Sequence, residues 1–258
     1  TQDVVNFFKG AGIRVMMSIG GVTYTDYWDE ALATDATQLG LNAAAIARHF
    51  DVGIEIDYER NTDANLEGLQ DFIDAYRSEE HGHPYDATGA NHAARLTIDL
   101  AAGGRYLQEL NRHATLYWLG NTEETRQLDY ANAMVHRSSG TPDNWQEHVD
   151  GKPTYNPVIP PKAPQTFTGG LYLKGNTANC DDFYASEQWQ WADYVESVAP
   201  NGAGVTHGML GYMFWAAGTP SARKNYVSTF PPNSCEGGMG EAAFQFDFPV
   251  PMEKLRQW

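Results

Sequence analysis

One stretch constrains the fold of this chain more than any other, because it alternates strictly between apolar and acidic residues. The apolar members are Ile54, Ile56 and Tyr58, and the acidic members are Glu55, Asp57 and Glu59. A period of two predicts a β-strand, since successive side chains of a strand point to opposite faces. All three acids then share one face, with neighbouring Cα atoms about 6.6 Å apart.

Three acids on one strand face disfavour joint ionisation. At least one of them is therefore expected to keep a proton near neutral pH. A carboxyl group that stays protonated near neutrality is what general-acid catalysis requires. The alternative is a half-exposed antiparallel strand with a solvated acidic face. Like charges are unfavourable neighbours in an ordinary sheet, which weakens that alternative.

The rest of the chain alternates strand and helix patterns around this stretch. Further strands are predicted over 13–19, 95–101, 129–136, 168–173 and 208–215, and helices over 2–10, 39–50, 66–76, 106–113 and 187–198. The residues around Tyr24, Tyr27 and Trp28 are predicted to form a loop. Strands that alternate with helices are typical of an α/β fold with a parallel sheet, and 258 residues suit a single (β/α)8 barrel.

Composition narrows the classes of partner. The formal net charge of −16 argues against nucleic acid, whose phosphates would be repelled, and is compatible with a neutral polysaccharide. No apolar run approaches the roughly 18 residues that a membrane span needs. The two cysteines, Cys180 and Cys235, form either an extracellular disulfide or two buried thiols. The start at Thr1 fits a processed or truncated product.

Two motifs in this order resemble glycoside hydrolase family 18, the chitinase family. The acidic stretch is similar to that family's Asp-x-x-Asp-x-Asp-x-Glu signature, with Asp51, Glu55, Asp57 and Glu59 as its four acids in order. Upstream, Ser18-Ile19-Gly20-Gly21 matches the family's Ser-x-Gly-Gly. The resemblance extends roughly from residue 1 to residue 220.

The resemblance implies a (β/α)8 TIM barrel that lacks its first two strands in this sequence. The chain is expected to be a single catalytic domain over 1–258, with an irregular C-terminal extension over 221–258. Catalytic residues of such barrels lie at the carboxyl ends of the strands, where Glu59 is predicted to be.

The resemblance also assigns roles to the acids. The family's cleavage is substrate-assisted: the N-acetyl group of the sugar attacks its own anomeric carbon. Glu59 would be the proton donor, and later the base for water. Asp57 would hold the acetamide, Glu55 would share a proton with Asp57, and Ser18 would hydrogen-bond to that pair.

Sugar-binding residues follow from the same resemblance. Trp215 matches the tryptophan that floors the sugar site, the alternative being a core residue. Met134-Val135-His136-Arg137 stands where the family has Met-x-Tyr-Asp, so that His136 either replaces the acetamide-binding tyrosine or is a packed histidine. Tyr24, Tyr27 and Trp28 either stack on sugar or pack within their loop.

The function expected from these features is that of a secreted, endo-acting chitinase without metal or other cofactor. Its partner would be chitin or another N-acetylglucosamine-containing oligosaccharide, with no nucleic acid and no membrane. The alternatives are an endo-β-N-acetylglucosaminidase acting on N-glycans and a non-catalytic chitin-binding lectin. Asp99 is interpreted as a partnered, buried structural acid, and His81 and His83 as part of a solvated loop rather than a zinc site.

Overall fold

The computed structural model describes residues 2–10, 14–101, 107–120, 125–134, 148, 150–163, 166–172 and 211–215. Six strands form one sheet, and every neighbouring pair is parallel. The strands follow one another in chain order: β1 Met16–Gly20, β2 Gly53–Asp57, β3 Leu96–Ala101, β4 Tyr130–Met134, β5 Phe167–Tyr172 and β6 Gly211–Trp215. The predicted parallel α/β fold is confirmed. Closure into an eight-stranded barrel stays a prediction.

Four α-helices precede or connect these strands within the described residues. They are α1 Gln2–Gly10, α2 Thr25–Phe50, α3 Leu66–Arg77 and α4 Gln108–His113, and a π-helical turn over Ala114–Trp118 follows α4. None of them is long and apolar enough to span a membrane. The predictions for 187–198 and 221–258, and both cysteines, lie outside the described residues.

Helix α2 differs most from the sequence-based prediction, because it begins at Thr25 rather than at 39. A break at Asp35 (φ −159°, ψ 61°) divides it into two parts. The carboxylate of Asp35 accepts a hydrogen bond from the Gln38 backbone N–H (3.1 Å), as a helix N-cap does. The alanine-rich pattern therefore identified the second part of α2, and the first part was wrongly predicted to be a loop.

The helices cover the apolar face of the sheet. Ile54, Ile56, Leu96 and Ile98 are fully buried on this face and belong to a single core with residues of α2, α3 and α4. The predicted stripe of α3 is part of it. Close approach of α2 and α3 depends on Gly40, where a Cβ atom would lie 2.3 Å from the α3 backbone.

The opposite face of the sheet carries polar residues in rows. In the register of the strands, Ser18 lies opposite Glu55 and Glu55 lies opposite Thr97. One step further along the strands, Asp99 lies opposite Asn132. Side chains in register point to the same side of the sheet. The acids of β2 therefore lie next to the polar residues of β3 and β4.

A glycine pair turns the chain directly after β1. Gly20 and Gly21 have φ values of 129° and 100°, and the Gly21 N–H donates a 2.8 Å hydrogen bond to the Asp57 carbonyl. A Cβ atom on Gly20 would lie 2.0 Å from that carbonyl oxygen and 2.5 Å from the Trp28 indole nitrogen. The turn therefore needs glycine for its backbone angles and for the space beside Asp57.

We expect Gly20→Ala to destabilise the fold by about 2 kcal/mol or more, because it combines backbone strain with a clash against the backbone of β2. Gly10→Ala is the matched control, since a Cβ at Gly10 meets nothing within 4 Å. Urea unfolding of both variants measures the difference. Equal midpoints for Gly20→Ala and the wild-type protein would contradict this account of the turn.

Candidate functional site

The three acids of β2 form a row at the carboxyl end of the strand. Glu55 and Asp57 lie within β2 and Glu59 follows it, and all three side chains are half-buried. Tyr58 points the other way and is fully buried. Its hydroxyl donates to Asp29 and accepts a 3.1 Å hydrogen bond from the Asn65 backbone N–H. These contacts fix the backbone that carries Glu59.

Asp51 does not belong to this row. Three residues lie between Asp51 and Glu55, the next acid of the row, whereas the signature has two between its first and second acids. The structure places Asp51 at the C-terminus of α2, in a left-handed conformation (φ 53°), where it is exposed and forms an ion pair with Lys9. Its place in the signature is therefore corrected, and its role here is to end α2.

Glu55 is held by a chain of hydrogen bonds that crosses the sheet. Its Oε1 accepts from the Thr97 hydroxyl (3.2 Å) and from the Asn132 side-chain amide, whose own oxygen accepts from the Thr168 hydroxyl. Thr97, Asn132 and Thr168 are all buried. Burial raises the pKa of Glu55, and these hydrogen bonds act against that rise by stabilising the charged form.

Asp57 has the pKa of a group that changes its protonation state near neutral pH. Burial, the negative charges of Glu59 and Glu55, and a hydrogen bond to Glu59 raise its pKa to about 7. One proton therefore lies between Asp57 and Glu59, because two carboxyl groups form a hydrogen bond only when one of them is protonated. The sequence-based expectation of a retained proton agrees with this pair.

Asp99 is a fourth acid on the same face, and its prediction as a buried, partnered acid is confirmed. Its side chain is 6% exposed and hydrogen-bonded to Glu55. Burial, followed by the negative charge of Glu55, raises the pKa of Asp99 well above its usual range. The alternation of Thr97 and Asp99 with apolar neighbours in β3 is the sequence signal that places Asp99 on the polar face.

The predicted stacking role of Trp28 is wrong. Trp28 lies in α2, is 4% exposed, and donates a hydrogen bond from its indole N–H to the Ile19 carbonyl (3.2 Å). Its ring packs against Tyr58 and Phe72, with centroids 5.7 Å and 5.4 Å away. It is a core residue, because the helix that begins at Thr25 turns its side chain towards the sheet.

Tyr24 and Tyr27 are exposed next to the glycine turn. Tyr27 is 68% exposed, and its ring centroid lies 6.2 Å from that of Tyr24. Tyr24 ends a 3₁₀ turn and Tyr27 lies in the first turn of α2. Both rings are therefore accessible to a ligand, as a role in binding sugar requires.

The structure describes the other predicted site residues in less detail. Ser18 is exposed and lies in register with Glu55, but its side-chain hydroxyl forms no hydrogen bond with the other described residues. Met134 ends β4 and is half-buried against the core. Trp215 ends β6, where the structure describes the strand and not the side chain. His136 lies outside the described residues.

Within the described ranges, no three His, Cys, Asp or Glu side chains are grouped as metal ligands. The prediction of a solvated His81–His83 loop is half right. His81 is exposed, whereas His83 is 6% exposed and its Nε2 lies 2.9 Å from the Ala44 carbonyl oxygen. His83 is buried because it joins the loop after α3 to α2.

Comparison with known proteins gives one distant likeness to report. No family model and no curated protein matches the sequence. A solved structure, described as a family GH18 chitinase from Chromobacterium violaceum, is similar with a TM-score of 0.47 and 14% sequence identity. The alignment covers 99% of this chain and 68% of the chitinase chain.

The two aromatic residues at the start of α2 provide a test of the Trp28 correction. We expect Trp28→Ala to cost about 3–5 kcal/mol of stability, because it leaves a large cavity in the core. Tyr27→Ala, the matched exposed control, should stay within about 0.5 kcal/mol of wild type. Urea unfolding measures both. A Trp28→Ala protein of normal stability that has lost saccharide binding would restore the sugar-stacking role.

Proposed function

We propose that this protein is a retaining glycoside hydrolase, an endo-acting chitinase that cuts β-1,4 links between N-acetylglucosamine units. The observation that carries the proposal is the row of three half-buried acids, Glu55, Asp57 and Glu59, at the carboxyl end of β2, in which the pKa of Asp57 is raised to about 7. A shared proton that is exchangeable near neutral pH is what an acid catalyst at this position needs. The two sequence motifs support the proposal independently of the geometry.

In the proposed mechanism the substrate supplies the nucleophile. The acetamide oxygen attacks the anomeric carbon, the glycosidic C–O bond breaks, and the leaving oxygen takes a proton from Glu59. Asp57 accepts the hydrogen bond of the acetamide N–H, so that the proton of the pair resides on Glu59 when the bond is cleaved. Glu59 then removes a proton from the water that opens the oxazolinium intermediate.

Binding of the sugar is assigned to the residues that the family resemblance indicates and to two exposed tyrosines. Trp215 would stack against the sugar ring, and His136 would donate a hydrogen bond to the acetamide oxygen. Tyr24 and Tyr27, next to the glycine turn, would contact the sugar with their aromatic rings. Ser18 and Met134 line the same face of the sheet. Between β5 and β6 the sequence has room for one helix, and not for an extra domain that would deepen the cleft. A shallow cleft of this kind favours cuts within a chain.

The proposed substrate is also consistent with the charge of the protein. Chitin is a neutral polymer, so a net charge of −16 does not repel it. Because such a polymer is extracellular, we propose that the protein is secreted. No cofactor is required by this mechanism, since the proton transfers involve Glu59, Asp57, substrate and water only.

We expect Glu59→Gln to lower turnover of chitin oligosaccharides by about 10²- to 10⁴-fold, because the amide keeps the shape of the side chain but cannot donate this proton. Binding of the oligosaccharide should persist in the same preparation. Glu67→Gln, on the exposed face of α3, is the matched control and should behave as wild type. Turnover by Glu59→Gln within about tenfold of wild type would remove Glu59 from its assigned role.

Testing the wild-type protein on different substrates distinguishes a chitinase from the two alternative functions. Release of short oligosaccharides from chitin supports the chitinase. Cleavage of a glycoprotein glycan, without cleavage of chitin oligosaccharides, identifies an endo-β-N-acetylglucosaminidase. Binding of chitin oligosaccharides without any turnover by the wild-type protein identifies a lectin and overturns the proposed enzyme activity.

Acetamide participation predicts the stereochemistry of the first product. The new reducing end should have the β configuration, and a thiazoline analogue of the oxazoline should inhibit. Proton NMR of the products before mutarotation gives the configuration directly. Initial release of the α-anomer would show that water displaces the leaving group in one step, and would contradict the proposed mechanism.

A further inference from the structure

The polar face of the sheet holds more carboxyl groups than the proposed reaction uses. Asp99 follows Ile98, which lies opposite Ile56, so that Asp99 is beside Asp57 in the next row of the sheet. On its other side Asp99 lies opposite Asn132. Its side chain is 6% exposed and is hydrogen-bonded to Glu55.

Hydrogen bonding decides which member of the Glu55–Asp99 pair donates. Glu55 Oε1 already accepts from Thr97 and Asn132, which favours the ionised form of Glu55. Asp99 Oδ1 is buried and receives no hydrogen bond from any donor among the described residues. A carboxyl oxygen without a donor, next to another carboxylate, is satisfied when it carries a proton and donates it.

The groups that face Asp99 bring mainly negative charge. They are Glu55 and Asp57 of β2 and Glu59, which follows that strand. The Tyr130 hydroxyl of β4 lies close enough to Glu55 to be affected by its charge. Two cations of this region are paired with other groups: Arg95 lies over the Tyr130 ring and 3.7 Å from Asp129, and Arg60 forms ion pairs with Asp26 and Asp29. Among the described residues, no cation forms an ion pair with Glu55, Asp57 or Asp99.

We propose that Asp99 is a positioning residue, which donates a hydrogen bond to Glu55 and holds that carboxylate behind the Asp57–Glu59 pair. The four acids then keep two protons between them. The proton that Asp57 and Glu59 share takes part in the reaction. The proton of Asp99 remains on Asp99 throughout the reaction. The long Glu55 side chain is thereby fixed by three donors, Thr97, Asn132 and Asp99. The proposal rests on the proposed function for its kinetic consequence only.

The proton count is tested by infrared difference spectroscopy on the full chain. At pH 6 the wild-type protein should show the C=O band of two protonated carboxyl groups, and Asp99→Asn should show one. Asp57→Asn should also show one, since its amide replaces the proton that Asp57 and Glu59 share. Asp71→Asn, on the exposed side of α3, is the matched control and should show two. These outcomes do not depend on which sugar, if any, is hydrolysed.

The positioning role is tested by comparing two substitutions of Asp99. The amide of Asp99→Asn still donates to Glu55, so its kcat should stay within about threefold of wild type at pH 6. Asp99→Ala removes the donor, and we expect kcat to fall by up to about 100-fold with a smaller change in KM. A merely structural role would lower the stability of both variants without this difference in kcat between the folded proteins.

Several outcomes would overturn the proposal. One is an unchanged carboxyl band in Asp99→Asn, and another is a wild-type protein with fewer than two protonated carboxyl groups at pH 6. The count of protonated carboxyl groups in the wild-type protein tests the proposal even where a variant fails to fold. Full kcat in Asp99→Ala would also sink the positioning role. Loss of the proposed function is seen separately, as absent turnover in a wild-type protein that still shows both bands.

Discussion

The structure of this site depends on the burial of carboxyl groups on one face of a parallel sheet. Removing a carboxylate from water is costly, so such groups keep a proton or receive hydrogen bonds from fixed donors. Both solutions are present here. Glu55 accepts hydrogen bonds from side chains of β3 and β4, and Asp57 shares a proton with Glu59. The desolvation that destabilises the folded state also raises the pKa of Asp57, so that one proton is exchangeable near neutral pH.

Everything around β2 serves to hold this strand in place. The Gly20–Gly21 turn brings the end of β1 into hydrogen-bond contact with the Asp57 carbonyl. On the apolar face, Trp28 fills the space between Tyr58 and the helix α3. Tyr58 is thus anchored by packing and by its hydroxyl, so that the acids on either side of it point to the polar face. A rigid support of this kind is what precise placement of an acid catalyst requires.

The arrangement divides the acids into two pairs with different tasks. In the Asp57–Glu59 pair the shared proton lies at the carboxyl end of β2, between two half-buried side chains, where the proposed reaction needs it. In the proposed Glu55–Asp99 pair the proton lies behind, among buried threonine and asparagine side chains. The second pair lowers the negative charge next to the first, because one of its two acids is neutral. Among the described residues, Glu55, Asp57 and Asp99 therefore lie together on one sheet face without an ion pair to a cation.

Much of the fold followed from the sequence, because its signals are local. The period-two alternation around Asp57 located β2, and the stripe of α3 located that helix, since both patterns record which side is buried. The protonated acid was predicted for the same reason: three carboxyl groups two residues apart on one strand repel wherever the strand lies. The glycine pair was likewise visible before its contacts with Asp57 were known.

Only the tertiary structure decided which distant residues complete the site. Asp99 reads as an isolated acid in an apolar strand, and its contact with Glu55 exists because two strands 42 residues apart in the chain lie in register. The sequence predicts that Trp28 lies in a loop. Its side chain is in the core because α2 begins earlier in the chain, at Thr25. Neighbouring residues specify the direction of a side chain. What that side chain meets is determined by the pairing of strands and the packing of helices.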